Sequence, residues 1–300
     1  MAREYKRQRG FFTIAQYSDK FGDYPRMAYA LALSLKASQT EAPYLAVGMT
    51  EEDQERLPQK YRDAFDEVVT IPWTDEAIMH NWKLHNWWKA YHMTPYKETI
   101  CLDADMIFTH DHSEWWPILA RRFPLQMCNS PVTFKGHTAD TSYYSKQFNL
   151  NKLYRGYAAL TYFRQSKEAR KFFNMCEDIF KNWDQYSWEY IRHNKVRWPA
   201  TDEVYGLAVR LLEWEEKVKP FPSFTFVHLK SKCQGLLDHR VQDIDWPEYL
   251  LDSWDDHGRC FINNYLQTKP LHYHVKKWLT DDHIKRLERL VAWNKKMYKH

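Results

Sequence analysis

The sequence predicts an α/β protein in which strands and helices alternate to build a mostly parallel, doubly wound sheet. Four short apolar strands are expected in the first part of the chain, at residues 11–17, 44–49, 68–71 and 100–102. Helices are expected between them, and this alternation is typical of a sheet covered by helices on both faces. The length of 300 residues and the 44% share of hydrophobic residues fit one domain over residues 1–300.

The helices between the first strands have recognisable beginnings. The first is expected to begin at Pro25, because proline is favoured at the first position of a helix. Met27, Leu31 and Leu35 then give it an apolar stripe. A second, shorter helix is expected from Glu51, since acidic residues suit the positive end of the helix dipole.

Composition and charge narrow the classes of function. The net charge of +4 suits an anionic substrate such as a nucleotide, but it is below the strongly basic balance of a typical nucleic-acid-binding domain. The five cysteines are scattered without a Cys-x-x-Cys pair, which argues against structural zinc and against a disulfide framework. No apolar stretch approaches the length of a membrane span, so a soluble cytoplasmic protein is expected.

Two aspartates directly follow the fourth strand. Asp103 and Asp105 are two residues apart in extended chain, so their carboxylates are expected to point the same way. Two carboxylates at such a short distance repel each other unless a cation lies between them. Oxygen ligands at the carboxyl end of a parallel strand suit Mg²⁺ or Mn²⁺, and open sheets bind ligands at this edge. The pattern therefore predicts a divalent-metal site, with a solvated turn as the simpler interpretation.

The loop after the first strand is a candidate nucleotide site. Ala15, Gln16 and Tyr17 are expected at the carboxyl end of that strand, on the same binding edge of the sheet. The ring of Tyr17 could stack on a base, or it could be an ordinary aromatic residue at a strand end.

The second half of the chain continues the alternation. Strands are expected at residues 125–128, 156–163 and 224–229, and helices at residues 115–123, 167–192 and 204–212. Residues 129–154 are polar and are expected to be irregular. We interpret this segment as an acceptor-side loop, because long loops inside compact domains are usually functional.

Acidic residues begin the helix near residue 204. Thr201 is a good helix-capping residue, and Asp202 and Glu203 in the first turn suit the helix dipole. The same acids could instead face a substrate, and both interpretations stay open.

A His-x-His pattern near the end of the chain could complete a metal site. His272 and His274 are expected on one side of a strand, and imidazole suits Mn²⁺ beside two carboxylates. Lys276 and Lys277 follow them and could neutralise the oxygens of a diphosphate. Either histidine fits the role of third ligand.

A basic helix is expected at residues 280–299. Its buried stripe should contain Ile284, Leu287, Val291 and Trp293. Its other side is basic through Lys285, Arg286, Arg289, Lys295, Lys296 and Lys299. That side is either a solvated face or a surface for phosphate groups.

Two segments resemble glycogenin and its glycosyltransferase relatives. KLHNW at residues 83–87 precedes LDADM at residues 102–106, much as a Lys-Leu-His-x-Trp segment precedes a Leu/Met-Asp-Ala-Asp motif in that family. The resemblance implies a GT-A fold, a single Rossmann-like nucleotide-binding domain that transfers a sugar from a UDP-sugar with Mn²⁺ or Mg²⁺. The Asn-Ser-Gly triplet that the family carries near the strand at 156–163 is absent.

The resemblance also implies roles for particular residues. Asp103 and Asp105 would hold the metal, with His272 preferred to His274 as the last ligand. Asp202, with Glu203 beside it, would face the donor sugar. Lys83, and a lysine at the position of Lys276 or Lys277, would contact the diphosphate of the donor. Together with Ala104 and the strand-end residues Ala15, Gln16 and Tyr17, they complete the expected nucleotide-sugar site. Lys83 would also take part in catalysis, and the sugar, hexose or pentose, would be transferred with retention of configuration.

The acceptor is suggested by a second resemblance. The segments FVHLK at residues 226–230 and HYHVK at residues 272–276 look like small glycosyltransferases of tailed bacteriophages, some of which glycosylate 5-hydroxymethylcytosine in DNA. Double-stranded DNA is therefore the expected acceptor, while protein, glycan and lipid-linked acceptors stay open. The sequence does not determine the oligomeric state.

Two other classes compete with this interpretation. A haloacid-dehalogenase-type phosphotransferase would use Asp103 as a nucleophile, although that superfamily carries its Asp-x-Asp motif near the amino terminus. A non-catalytic nucleic-acid-binding module would use the basic and aromatic surface, and its binding would not need Asp103, Asp105 or a metal.

Overall fold

A computed structural model describes residues 4–20, 22–75, 83–193, 198–236, 242 and 245–297, without the side chains of residues 83, 84, 143–145 and 297. The strands are β1 (Arg7–Ile14), β2 (Tyr17–Ser18), β3 (Gly22–Asp23), β4 (Leu45–Met49), β5 (Glu67–Thr70), β6 (Tyr96–Leu102), β7 (Met106–Ile107), β8 (Leu125–Cys128), β9 (Tyr157–Arg164), β10 (Val227–His228), β11 (Asp252–Trp254), β12 (Cys260–Ile262), β13 (Tyr265–Leu266) and β14 (Leu271–His272).

The α-helices of the described ranges are α1 (Tyr24–Ser38), α2 (Glu51–Glu55), α3 (Gln59–Arg62), α4 (Ala90–Met93), α5 (Trp115–Ala120), α6 (Ser142–Leu150), α7 (Lys167–Lys181), α8 (Trp183–Tyr190), α9 (Thr201–Leu211), α10 (Trp246–Tyr249) and α11 (Asp281–Met297). Short 3-10 turns cover Lys83–Lys89, Lys232–Gln234 and Lys276–Trp278. None of these helices combines the length and apolar character that crossing a bilayer needs.

The central sheet has six strands in the order β5-β4-β1-β6-β9-β8. Strands β5, β4, β1 and β6 are parallel to one another, whereas β9 runs antiparallel to both β6 and β8. The predicted mostly parallel α/β sheet is therefore confirmed. Its parallel strands end at one edge, where β1 and β6 lie side by side.

Both faces of this sheet are buried, as its continuous apolar strands require. Neighbouring residues of β1 point to opposite faces, with Phe11 in one core and Phe12 in the other. Helices α1 and α11 cover the face of Phe11, and α7 and α9 cover the face of Phe12.

A small second sheet lies beyond the end of β6 and is the element that builds the site. It has the order β10-β14-β7, with β14 parallel to β10 and antiparallel to β7. Only residues 103–105 separate β6 from β7. The Asp-x-Asp turn therefore joins the two sheets, and β14 is brought next to it by long-range pairing.

The helix starts and strand ends differ from the predictions in several places. The first strand is Arg7–Ile14 instead of 11–17, because its pairing with β6 begins at Arg7, and Tyr17 belongs to a separate short strand. The predicted strand at 224–229 is reduced to Val227–His228. Thr201 is not the cap of its helix, since Ala200 occupies the capping position and Thr201 lies in the first turn.

Two longer segments, and one residue of a third, were also predicted wrongly. The segment 167–192 is two helices, because Asn182 leaves the helical backbone conformation and Trp183 after it is buried. Residues 129–154 contain the helix Ser142–Leu150. In α11, Ile284, Leu287 and Val291 are buried as predicted, whereas Trp293 is 63% exposed because it lies outside their stripe.

Candidate metal and donor site

The Asp-x-Asp turn is fixed by backbone hydrogen bonds from both sheets. Asp103 donates its backbone N–H to the carbonyl of Ala159 (3.3 Å), and Asp105 accepts one at its carbonyl from Tyr273 (3.1 Å). Asp103 is partly exposed and Asp105 is buried. The turn is thus held between β9 and the end of β14, with one carboxylate open to solvent.

His272 completes a three-residue cluster with these aspartates. Its Nε2 lies 3.5 Å from Oδ2 of Asp103 and 3.4 Å from Oδ1 of Asp105. The register explains this position, because His272 pairs with Met106, the residue directly after the turn. The predicted ligands Asp103, Asp105 and His272 are therefore brought together, with one ligand atom from each within 4.8 Å of the others.

His274 does not belong to the group of ligand atoms that the two carboxylates form with His272. It is not on the strand, because β14 ends at His272 and His274 has a left-handed φ of 57°. Its ring stacks on that of His272 (centroids 4.5 Å apart), and it groups with His228 instead of with the aspartates. The expectation that both histidines share one side of a strand is therefore wrong.

Lys276 forms an ion pair with Asp105. Although burial opposes ionisation of both groups, this contact raises the pKa of Lys276, and together with His272 it holds the pKa of Asp105 well below its usual value. Asp103 differs, because the surrounding protein removes part of its hydration and the carboxylates of Asp105 and Asp202 repel its charge, and both effects raise its pKa. The cluster therefore holds more negative charge than its own cations offset.

Asp202 and Glu203 lie in the first turn of α9, beside the cluster. Asp202 accepts a hydrogen bond from the backbone N–H of Ala158 (2.8 Å), next to the residue that binds Asp103. Glu203 is buried, and its Oε2 has no hydrogen-bond partner among the described residues. Burial, with the charge of Asp202 adding to it, raises the pKa of Glu203 to about 7.

A second polar cluster follows β1. Gln16 donates a hydrogen bond to Asp75 (3.1 Å), and Asn86 donates to both Gln16 (3.0 Å) and Asp75 (2.5 Å). Lys89 is fully buried and donates to the carbonyl of Thr74 (2.6 Å). Most of the hydrogen-bonding atoms in this cluster are therefore paired with other atoms of the cluster.

The other residues predicted to contact the nucleotide sugar lie outside these two clusters. Ala15 and Ala104 are buried. Tyr17 is partly exposed with Arg56 over its ring at 4.5 Å. Lys277 is exposed, while the side chain of Lys83 lies outside the described part of the chain.

Sequence reasoning missed His228, Asp75 and Asn86 as members of these clusters. Asp75 meets Gln16 across 59 residues of sequence, and His228 meets His272 only through the pairing of β10 with β14. The one available signal was the position of His228 inside a predicted strand.

Comparison with known proteins bears on the fold. No protein-family profile and no curated protein matches the sequence. The crystal structure of the galactosyltransferase LgtC with donor and acceptor sugar analogues matches with a TM-score of 0.53 and 13% identity, over 94% of this chain and 95% of that one.

A second solved structure, the glycosyltransferase GlyE of Streptococcus pneumoniae, matches with a TM-score of 0.50 and 10% identity. This alignment covers 97% of the present chain and 64% of the GlyE chain. The chain therefore has the α/β fold of GT-A glycosyltransferases, as the resemblance implied.

Proposed function

We propose that this chain is a metal-dependent glycosyltransferase that moves a sugar from a UDP-sugar to an acceptor hydroxyl. The observation that carries the proposal is the cluster of Asp103, Asp105 and His272 at the carboxyl end of a parallel strand, in a fold shared with sugar-transferring enzymes. Ligand sites of open α/β sheets lie at this edge.

The residues of the cluster fit a divalent ion. Two carboxylates and one imidazole are a donor set suited to Mn²⁺, and Mg²⁺ would accept the same oxygens. The burial of Asp105 and the crowding of Asp105 and Asp202 around Asp103 make a cation favourable there. Such an ion, when bound, would neutralise charge on a leaving diphosphate.

Lys276 would supply a second positive charge to the diphosphate. In the transfer reaction the bond between the sugar and the diphosphate breaks, and negative charge grows on the diphosphate oxygens. Lys276, now paired with Asp105, has the reach and the charge to move to those oxygens. Lys277 and Lys83 are proposed as further phosphate contacts.

Asp202 and Glu203 would act on the sugar side. The transferred sugar passes through an oxocarbenium-like state, which a neighbouring carboxylate stabilises. Asp202 is an acid outside the metal cluster whose charge acts on Asp103. We propose retention of configuration, with the leaving diphosphate taking the proton of the acceptor hydroxyl. Ala15, Gln16, Tyr17 and the backbone at Ala104 would line the nucleotide.

For the acceptor we propose 5-hydroxymethylcytosine in duplex DNA of a bacteriophage. The support is the basic side of α11, which begins three residues after the 3-10 turn that carries Lys276. The segment 129–154 is proposed as the acceptor-side loop. It is tied to the second sheet, since Val132 pairs with Val227 of β10.

The proposal is tested with a panel of nucleotide sugars incubated with the protein and Mn²⁺. We expect one donor to release its nucleoside diphosphate well above background, and we expect chelation of the metal to abolish the release. No release from any donor, or an aspartyl-phosphate trapped on Asp103, would refute it in favour of another class.

The acceptor is tested separately with hydroxymethylated and unmodified DNA duplexes of one sequence. Transfer is expected only to the hydroxymethylated duplex, and duplex binding should weaken steeply with salt. NMR of the product should show the anomeric configuration of the donor; inversion would remove retention from the proposal, and salt-independent binding would argue against DNA.

A further inference from the structure

Three histidines form a second cluster, which shares His272 with the group of the two aspartates. His228 and His272 are register partners on the parallel strands β10 and β14. The ring of His274 lies 4.5 Å from that of His272 and 5.3 Å from that of His228, and His228 lies 5.3 Å from His272. One nitrogen from each ring lies within 4.8 Å of the others.

Several ring nitrogens of this cluster lack a partner. Nδ1 of His228 and Nδ1 of His272 are buried and accept or donate no hydrogen bond within the described ranges. Buried polar atoms are almost always paired, so unpartnered imidazole nitrogens within a group of three close rings need a cause. A ligand that accepts lone pairs from several rings would satisfy them together.

The backbone at His274 is a second, independent observation. Its φ of 57° is a left-handed conformation that residues with a side chain seldom adopt. Such conformations persist where the surrounding structure requires them, and they concentrate at ligand sites. Here the conformation turns the ring of His274 back onto His272 instead of leaving it in extended chain.

Aromatic packing is the competing explanation of the cluster. Phe226 lies 5.5 Å from the ring of His228, and Tyr157 lies 5.6 Å from it. Packing alone would be served equally by phenylalanine, and it accounts neither for three converging imidazoles nor for the strained backbone of His274.

We propose that His228, His272 and His274 form a second metal site, which takes a transition-metal ion of the Zn²⁺ or Co²⁺ class. Imidazole nitrogen suits these ions, whereas carboxylate oxygen suits Mg²⁺ and Mn²⁺. Three imidazoles leave a fourth position open, as in many tetrahedral sites. Asp103 and Asp105, which also contact His272, supply negative charge nearby.

The site shares His272 with the cluster of the two aspartates, so its test must separate the two. The informative substitutions therefore spare His272 and change one group at a time. The inference does not depend on sugar transfer, because metal binding is measured without any nucleotide sugar.

The experiment titrates the metal-free full chain with Co²⁺ and follows its visible absorption, then measures Zn²⁺ binding by competition. The wild type should show the intense bands of a four-coordinate, nitrogen-bound ion. The variant carrying Asp103→Asn and Asp105→Asn should keep those bands, with affinity within about threefold, because imidazoles hold the ion.

Two variants remove a histidine with little cost to packing. His228→Phe preserves the aromatic surroundings, and His274→Asn suits a left-handed φ. Each should weaken Co²⁺ and Zn²⁺ binding by more than about 100-fold. Removal of a residue that only hydrogen-bonds a metal ligand already lowers metal affinity about 10–100-fold, and removal of a ligand should cost more. The exposed His257→Ala is the matched control and should bind as the wild type does.

The inference is overturned if the wild type shows no four-coordinate Co²⁺ spectrum. It is also overturned if the bands survive both histidine substitutions but disappear in the aspartate variant, because the ion would then lie with the carboxylates. Circular dichroism and thermal unfolding identify any variant that fails to fold, and the other histidine variant then carries the test.

Discussion

Two polar clusters lie at the carboxyl ends of the neighbouring strands β1 and β6, and they are built in opposite ways. In the cluster after β1, Gln16, Asp75 and Asn86 satisfy one another with hydrogen bonds of 2.5–3.1 Å. In the cluster after β6, the carboxylates of Asp103 and Asp105 face each other and one imidazole, with Lys276 as the cation in contact.

This difference in hydrogen bonding and charge indicates that the cluster after β1 supports the fold, whereas the cluster after β6 is arranged for a cation. Hydrogen bonds between neutral amides and a single carboxylate stabilise a folded chain modestly. Crowded carboxylates destabilise it unless a ligand offsets their charge. Substitution of the first cluster should therefore reduce stability, and substitution of Asp103 in the second should reduce activity without reducing stability.

The largest expected effect is that of Asp103→Asn. It should lower the rate of nucleotide release by about 1,000-fold, because a neutral amide is a poor ligand for a divalent ion. The free energy of unfolding at pH 7.5 should stay at or above that of the wild type, since repulsion from Asp105 and Asp202 is relieved. Kinetics and urea unfolding measure the two quantities. If Asp103→Asn instead lost stability and kept its activity, the cluster after β6 would be the one that supports the fold.

Lys276→Ala should have the next largest effect. We expect a loss of about 100-fold in kcat, which is typical for removal of one group that neutralises charge in the transition state. Binding of Mn²⁺ should not weaken, because Asp105 loses a competing cation. Lys276→Arg is the matched control and should recover part of kcat; weaker Mn²⁺ binding in Lys276→Ala would contradict the assigned role.

Glu203 should make stability depend on pH. Its folded pKa of about 7 lies above the unfolded value, so the folded state keeps a proton that the unfolded state has released, and stability falls as pH rises from about 5 to 8. Glu203→Gln should remove about 2 kcal/mol of this loss. Urea unfolding at pH 5 and pH 8 measures the difference, and parallel profiles for wild type and variant would contradict the prediction.

The smallest effect is expected in the first cluster. Gln16→Ala should lower the free energy of unfolding by about 1 kcal/mol, because it removes one buried hydrogen bond to Asp75 and one from Asn86. Gln59→Ala, which removes an exposed bond to Asp63, is the control and should be nearly neutral. Equal losses for the two variants would mean that the cluster after β1 is not a supporting one.

The parts of the fold set by short-range pattern could be predicted from the sequence. The buried run before Asp103 predicted both the strand and the common direction of the two carboxylates, since strand geometry fixes residues two apart. The stripe of α11 followed from helical spacing, except at Trp293, which falls outside it.

The parts set by long-range pairing could not be predicted. Whether His272 or His274 meets the aspartates depends on where β14 stops pairing with β7. The last paired residue is His272, two residues before the left-handed conformation at His274. The contacts of His228 with His272, and of Asp75 with Gln16, join residues whose separation carries no local pattern. Lys276 was expected to face a phosphate, but its present partner is Asp105.

The most direct test of the central claim is calorimetric titration of UDP into the wild type, with and without Mn²⁺, and into Asp105→Asn. If the cluster of Asp103, Asp105 and His272 holds the ion that binds the diphosphate, Mn²⁺ should tighten UDP binding at least about tenfold, and Asp105→Asn should lose that gain. Binding of UDP that is equally tight without metal, or unchanged in Asp105→Asn, would contradict the account.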